Sequence, residues 1–226
     1  MAKRPNSRNP WSVLMGAVLI LGACSDSGDE PTGPADQPEA IELALRVHLV
    51  QSDQLEALNV GLSDAEVTEL MTAVNGTWAQ AGVTWSLESI FREDARNEPL
   101  FRRALTGSTE DLISVLTSVL TGENLRPDIW NVFMIRDFGG SLGGVYLPAE
   151  KVVVSTEVDP LGQRDIDGGM ARVLAHELGH SLGLVHVPCT AQGNLMAAGC
   201  VLGSRTFLDG TQRTGVRLQA QTGRPV

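Results

Sequence analysis

The sequence predicts a mixed α/β domain of the α+β kind, built on a twisted, mostly parallel sheet. Short apolar strands alternate with amphipathic helices from residue 41 onward, and a histidine-bearing helix follows the last strand. About 186 residues remain for such a domain, enough for one sizeable core. Ile41 to Val50 alternates apolar and polar positions and reads as a first strand. Leu62-Ser63-Asp64 then offers a cap for a helix running to about Ala81, and Val83 to Phe91 reads as a second strand. Leu112, Ile113, Val115, Leu116, Val119 and Leu120 recur at helical spacing, with Ser108 or Thr109 available near the start. Asp128 to Arg136 is apolar enough for a buried strand, and Lys151 to Thr156 for another. Between them, Phe138 to Pro148 carries glycines that would be costly in an ordinary strand. A helix is expected from about Asp167 to Gly183, and a closing helix over Asp209 to Gln219. Strands joined through helices favour parallel neighbours.

Ahead of this domain the chain changes character. Lys3, Arg4 and Arg8 precede a short apolar run, Trp11 to Leu21, too brief to span a bilayer comfortably, so residues 1–23 read as a signal peptide. Leu21-Gly22-Ala23-Cys24 matches the bacterial lipobox, in which cleavage precedes a cysteine that carries diacylglycerol; a conventional signal with an incidental cysteine is the alternative. Acyl chains on Cys24 would anchor the exported protein to the cell envelope through a membrane. Ser25 after the cysteine resembles Gram-negative lipoproteins sorted to the outer membrane. Residues 25–40 lack apolar periodicity and are rich in Asp, Glu, Pro and Gly, as expected of a disordered tether, so that residues 24–40 link the anchor to a domain over 41–226.

Removing residues 1–23 takes three of the 17 basic residues and none of the 27 acidic ones, so the net charge moves from −10 to −13. Nucleic acid finds nothing to hold on such a surface. If Cys24 is lipidated, Cys189 and Cys200 are left as a pair in an oxidising compartment. A bridge between them would staple the loop around Met196 by about 2–3 kcal/mol; two buried thiols are the alternative.

The densest chemistry is the run HELGHSLGLVH over residues 176–186, which holds three of the four histidines. His176 and His180 are one helical turn apart and share a face, so two imidazoles can reach one ion. Gly183 can adopt the left-handed conformation that ends a helix, letting His186 swing back as a third nitrogen ligand. Three protein ligands with one open position is the arrangement of catalytic zinc, whereas structural zinc normally closes with a fourth Cys or His. Glu177 lies where a general base could touch a water on that ion. Ordinary histidines on a helix face, or a metal site without catalysis, remain the plainer readings. The fourth histidine, His48, sits in an apolar run and suits a core or strand-edge role. Asp159, Asp165 and Asp167 could ligate calcium, although capping and turns explain acids in such a loop more cheaply.

His176, Glu177, His180, Gly183 and His186 match HExxHxxGxxH in full, and in this the chain resembles the metzincin clan of zinc metallopeptidases. Asn194-Leu195-Met196 falls where that clan places a methionine in a tight turn beneath the metal, which implies that Met196 is structural. Val187 follows the third histidine, where matrix metalloproteases carry Ser, reprolysins Asp and astacins Glu, so no named subfamily is implied. Alanines and a glycine, rather than a tyrosine ligand, follow the methionine. The resemblance implies a zincin fold with an upper part over 41–183 and a smaller lower part over 184–226. It also implies an antiparallel edge strand bordering the cleft, here Gly143, Gly144, Val145 and Tyr146, that pairs with an extended peptide or protein substrate; a flexible loop is the alternative. The expected activity is endopeptidase cleavage by zinc-activated water with Glu177 as general base. The competing reading is a membrane-anchored module that binds peptide or host protein around a non-catalytic zinc.

Overall fold

In the computed structural model the described residues are 39–120, 122–140, 142–159, 162–191, 193–198 and 205–226. The signal peptide, Cys24, Cys200 and all but the last two residues of the tether lie outside them. Among these residues, five strands form one sheet in the order β2-β1-β3-β5-β4. They are β1 (Ile41–Gln51), β2 (Val83–Asp94), β3 (Trp130–Ile135), β4 (Gly144–Leu147) and β5 (Val152–Thr156). All neighbours run parallel except β4, which pairs antiparallel with β5 and forms one edge. The mixed sheet with an antiparallel edge strand is therefore as the sequence predicts.

The strand period of two sorts the side chains onto two faces. Leu43, Leu45, Val47 and Leu49 of β1, with Trp85, Val132 and Met134, face one core, closed by helices α1 (Asp64–Trp78), α4 (Ala171–Ser181) and α5 (Gly210–Ala220). Val50, Phe133, Ile135, Val152 and Val154 face the other, closed by α2 (Glu98–Ala104) and α3 (Thr109–Val119). Strands β3 and β5 are buried on both sides, which is why their sequences are continuous apolar runs instead of alternations.

Helix starts follow the capping chemistry in the sequence. Ser63 and Glu66 form a reciprocal capping box at α1, Ser108 and Asp111 at α3, and Asp209 and Gln212 at α5. Helix α2 is absent from the sequence-based expectation, for a physical reason: its seven residues, EPLFRRA, have no side-chain cap, and Asn97 precedes them with φ of 49°. Phe101 and Ala104, buried in the second core, hold it in place.

His48 is fully buried on the α2/α3 side of β1, between Phe91 and Phe133 at 5.5 and 4.5 Å between ring centroids. Its Nε2 lies 3.3 Å from Asn131 Oδ1 and its Nδ1 3.3 Å from Glu93 Oε1. The fourth histidine is thus a core residue.

Helix α4 lies under β5 and β4 and packs against α1, so the histidine helix runs beneath the sheet edge. A π turn, Ile166–Met170, leads into it and is capped by Asp165, whose side chain accepts from Gly169 N. Trp130 Nε1 donates to Ser181 Oγ at 2.9 Å, pinning the helix end to β3.

Candidate metal centre

Leu182 caps the C-terminal end of α4, and Gly183 follows with φ of 84°. Gly183 N donates to His180 O at 2.9 Å and Leu184 N to Gly179 O at 3.0 Å, the paired bonds of a Schellman stop. A side chain at residue 183 would strain that turn, so glycine sets where the chain reverses. The reversal carries His186 back toward the helix.

The Nε2 atoms of His176, His180 and His186 converge: 3.1 Å from 176 to 186, 3.2 Å from 180 to 176 and 3.0 Å from 180 to 186. His176 Nδ1 donates to Leu195 O at 2.7 Å and His180 Nδ1 to Leu184 O at 2.8 Å. A carbonyl can only accept, so each Nδ1 keeps its proton and the Nε2 lone pairs of these two rings are bare. Their 3.2 Å approach is then not a hydrogen bond, and two lone pairs that close repel unless a cation lies between. Two nitrogens held 2.0–2.1 Å from a tetrahedral ion stand about 3.3 Å apart, so the triad fits zinc. Burial pushes His176 down to about 4 and lowers His180 as well, leaving both rings neutral at pH 7, the form that binds metal. Among the described residues no other group of three or more His, Cys, Asp or Glu side chains converges in this way. Of the acids considered for calcium, Asp165 is the π-turn cap and Asp159 Oδ1 accepts from Gln163 N at 2.9 Å.

Glu177 is buried and faces β4. A Cβ placed on Gly144 would stand 2.6 Å from Glu177 Cγ, so the side chain fills the place that glycine leaves empty. A glycine that would be costly in an ordinary strand therefore makes room here for the candidate base. Burial pushes the Glu177 carboxyl up to about 8, and the Tyr146 backbone amide, which favours the charged form, offsets only part of this.

Gly144, Val145 and Tyr146 lie in β4, with no strand on its outer side among the described residues. Gly143 precedes the strand, and its carbonyl is taken from inside the sheet by Thr156 N at 3.0 Å and Thr156 Oγ1 at 2.8 Å. Tyr146 turns its ring into the α4 core and its hydroxyl donates to the Val226 carbonyl.

Met196 is fully buried, and a Cβ on Gly179 would stand 2.7 Å from its Sδ, so the thioether lies against the helix turn between the two histidines. The surrounding turn is stitched by Leu195 N to Phe207 O at 2.7 Å, Val187 N to Met196 O at 3.0 Å and Asn194 Oδ1 accepting from Met196 N at 2.8 Å. Asn194 in turn donates to Gln212 Oε1 of α5 at 2.7 Å. The orienting carbonyls of Leu184 and Leu195 and the Asn194–Gln212 pair escape sequence reasoning, since backbone acceptors leave no mark on residue type. Of the pair Cys189 and Cys200, only Cys189 lies among the described residues.

A family model for reprolysin-like metallopeptidases of family M12B matches residues 64–187, more than half of the chain, from the first residue of α1 to the residue after His186. No curated protein matches the chain. Among solved structures, mature mirolysin of Tannerella forsythia in complex with a cleaved peptide is 17% identical, over 70% of this chain and 68% of that one, with a TM-score of 0.47. The archaemetzincin of Methanopyrus kandleri is 12% identical, over 82% of this chain and 99% of that one, with a TM-score of 0.48. Metalloproteinase-II of Bacteroides fragilis is 15% identical, over 80% of this chain and 54% of that one, with a TM-score of 0.46. With a complete HExxHxxGxxH, a histidine triad of zinc-fitting spacing and the family match running through both, the chain belongs to the reprolysin-like M12B family of zinc metallopeptidases.

Proposed function

We propose that the chain is an endopeptidase in which His176, His180 and His186 hold one zinc ion and Glu177 is the general base. The observation that carries this reading is the convergence of three Nε2 atoms within 3.0–3.2 Å, two of them with the opposite ring nitrogen already committed to a carbonyl. Zinc bound there supplies Lewis acidity toward a peptide carbonyl and makes a water more acidic. The remaining work falls to the chain. The charge of a zinc ion beside it would hold the buried Glu177 ionised against its burial, so that Glu177 accepts the proton of the attacking water and passes it to the departing amine, while its burial under β4 excludes bulk solvent. The outer edge of β4 takes an extended peptide as an added antiparallel strand, so backbone hydrogen bonds hold it with little regard to sequence. Met196, under the turn of α4, fixes the floor.

The N-terminal sequence extends the proposal to an exported enzyme, lipid-anchored through Cys24 and carried on the tether of residues 24–40 to the outer membrane. One experiment tests both parts. Wild type and Glu177→Gln are expressed in full, fractionated and given a mixed peptide library. The wild type should cleave, in the membrane fraction and in a chelator-sensitive way, and Glu177→Gln should keep stoichiometric zinc yet lose turnover by at least roughly 10²-fold. Equal cleavage by the variant rejects Glu177 as base, and recovery of activity in the soluble fraction rejects the anchor.

A further inference from the structure

Arg172 stands one helical turn before His176 and two before His180, so all three share a face of α4. Its side chain is half-buried, and among the described residues it makes no hydrogen bond or ion pair. Taking a guanidinium out of water without a partner is costly, and such groups are ordinarily found paired. Burial, and after it the facing charge of Arg205, pushes Arg172 below its ordinary value; the carboxylates of Asp159 and Asp165 oppose this. Both carboxylates already serve backbone amides, Asp159 that of Gln163 and Asp165 that of Gly169. Arg205 is buried and held by the Ala197 carbonyl at 2.9 Å, just past Met196. A second guanidinium therefore stands close to Arg172, which itself lies on the histidine face of α4.

The direction of β4 says which part of a substrate meets them. The strand starts at Gly144, against Glu177, and advances to Tyr146, whose hydroxyl reaches Val226, itself bound through its N–H to Ser181 O at 3.0 Å. It thus runs toward the C-terminal end of α4. A peptide antiparallel to it runs toward the N-terminal end, so the residues after the cut bond lie on the Arg172 side.

We propose that Arg172, backed by Arg205, selects substrates that carry a carboxylate on the residue following the cleaved bond. The proposal rests on the reading of α4 and β4 given above. A guanidinium fork accepts a carboxylate in bidentate fashion, which supplies the missing partner and the neutralising charge together. The carboxylate is that of an Asp or Glu side chain within a chain, or the terminal group of a one-residue leaving segment.

Cleavage sites of the full-length, zinc-loaded protein on a mixed peptide library, read by mass spectrometry, should show Asp and Glu after the cut about tenfold over Asn and Gln. Amidated and free C termini in matched peptides separate the two sources of the carboxylate. Arg172→Glu should move the preference to Lys and Arg, and Arg172→Met, which keeps the stem, should erase it without lowering the melting temperature. Retention of the same library on immobilised Glu177→Gln provides a readout independent of turnover: acidic peptides should be held about tenfold over their amide counterparts, and the difference should vanish in the Arg172→Met double variant. Cleavage without acidic enrichment, unchanged preference in both Arg172 variants, or equal or absent retention overturns the assignment. Loss of cleavage alone, with selective retention intact, would strike the peptidase reading and leave this one standing.

Discussion

Glycine 144 does more for this site than permit a strand edge to be approached. Its missing side chain is the space that Glu177 occupies, with 2.6 Å between a would-be Cβ and Cγ, so the sheet edge and the candidate base are fitted to each other. Gly144→Ala should force Glu177 aside. A displacement of about 1 Å at a reacting group costs roughly 10²-fold, so turnover should fall by about that factor while zinc content, measured by metal analysis, stays at one per chain. Retention of full turnover would show that the carboxyl has room to spare. Residue types with special chemistry were legible at this scale: the three histidines, Glu177 and Gly183 through their spacing, and Met196 through the resemblance that this spacing carries. The glycines of residues 138–148 were legible as unusual, but the atom that needs the room came from another element, and no local pattern in the sequence names it. Arg172 was equally invisible, because an arginine on a helix reads as a solvated charge until its surroundings are known.

At the scale of the element, the stop of α4 governs the metal ligands. The Schellman bonds at Gly183 fix Leu184, and the Leu184 carbonyl holds the His180 ring by its Nδ1 proton at 2.8 Å. Gly183→Ala, forced to keep φ near 84°, should lower stability by about 1 kcal/mol or more. Because the orienting carbonyl moves with the turn, zinc affinity should also drop, by roughly 10–100-fold, the range seen when such supporting bonds are lost. Calorimetric melting and competition against a zinc chelator measure the two effects; a stability loss with unchanged affinity would uncouple the turn from the ligand. Helix starts were readable wherever a capping box marks them, at Ser63, Ser108 and Asp209. Helix α2 was not, since its seven residues are too few for a periodic pattern to stand out and Phe101 in the second core holds it in place.

For the whole molecule, the two cores divide the work. The α1/α4 side carries the candidate metal centre, and the α2/α3 side carries a buried histidine. Burial lowers His48, against the opposing influence of Glu93 and Asn131, so the folded protein holds it neutral. A depressed folded value means that this contribution to stability is full above the unfolded value of 6.5 and is lost as pH falls through the folded one. Metal-free wild type should therefore lose stability on acidification below pH 6.5, through His48, His176 and His180 together. His48→Gln, neutral at every pH, should show a shallower loss over the same range in denaturant titrations, and identical slopes would mean that Glu93 fully compensates the proton. The sheet class could be read from alternating strands and helices. Its order could not, because which strand lands beside which depends on crossovers that no stretch of residues encodes on its own.

Both carbonyls that steer the imidazole rings belong to leucines whose side chains pack into the apolar interior instead of facing the ion. Coordination chemistry and side-chain identity are thereby decoupled at positions 184 and 195: drift there is filtered by fit to the interior alone, and diverged relatives can keep one coordination geometry under different sequences.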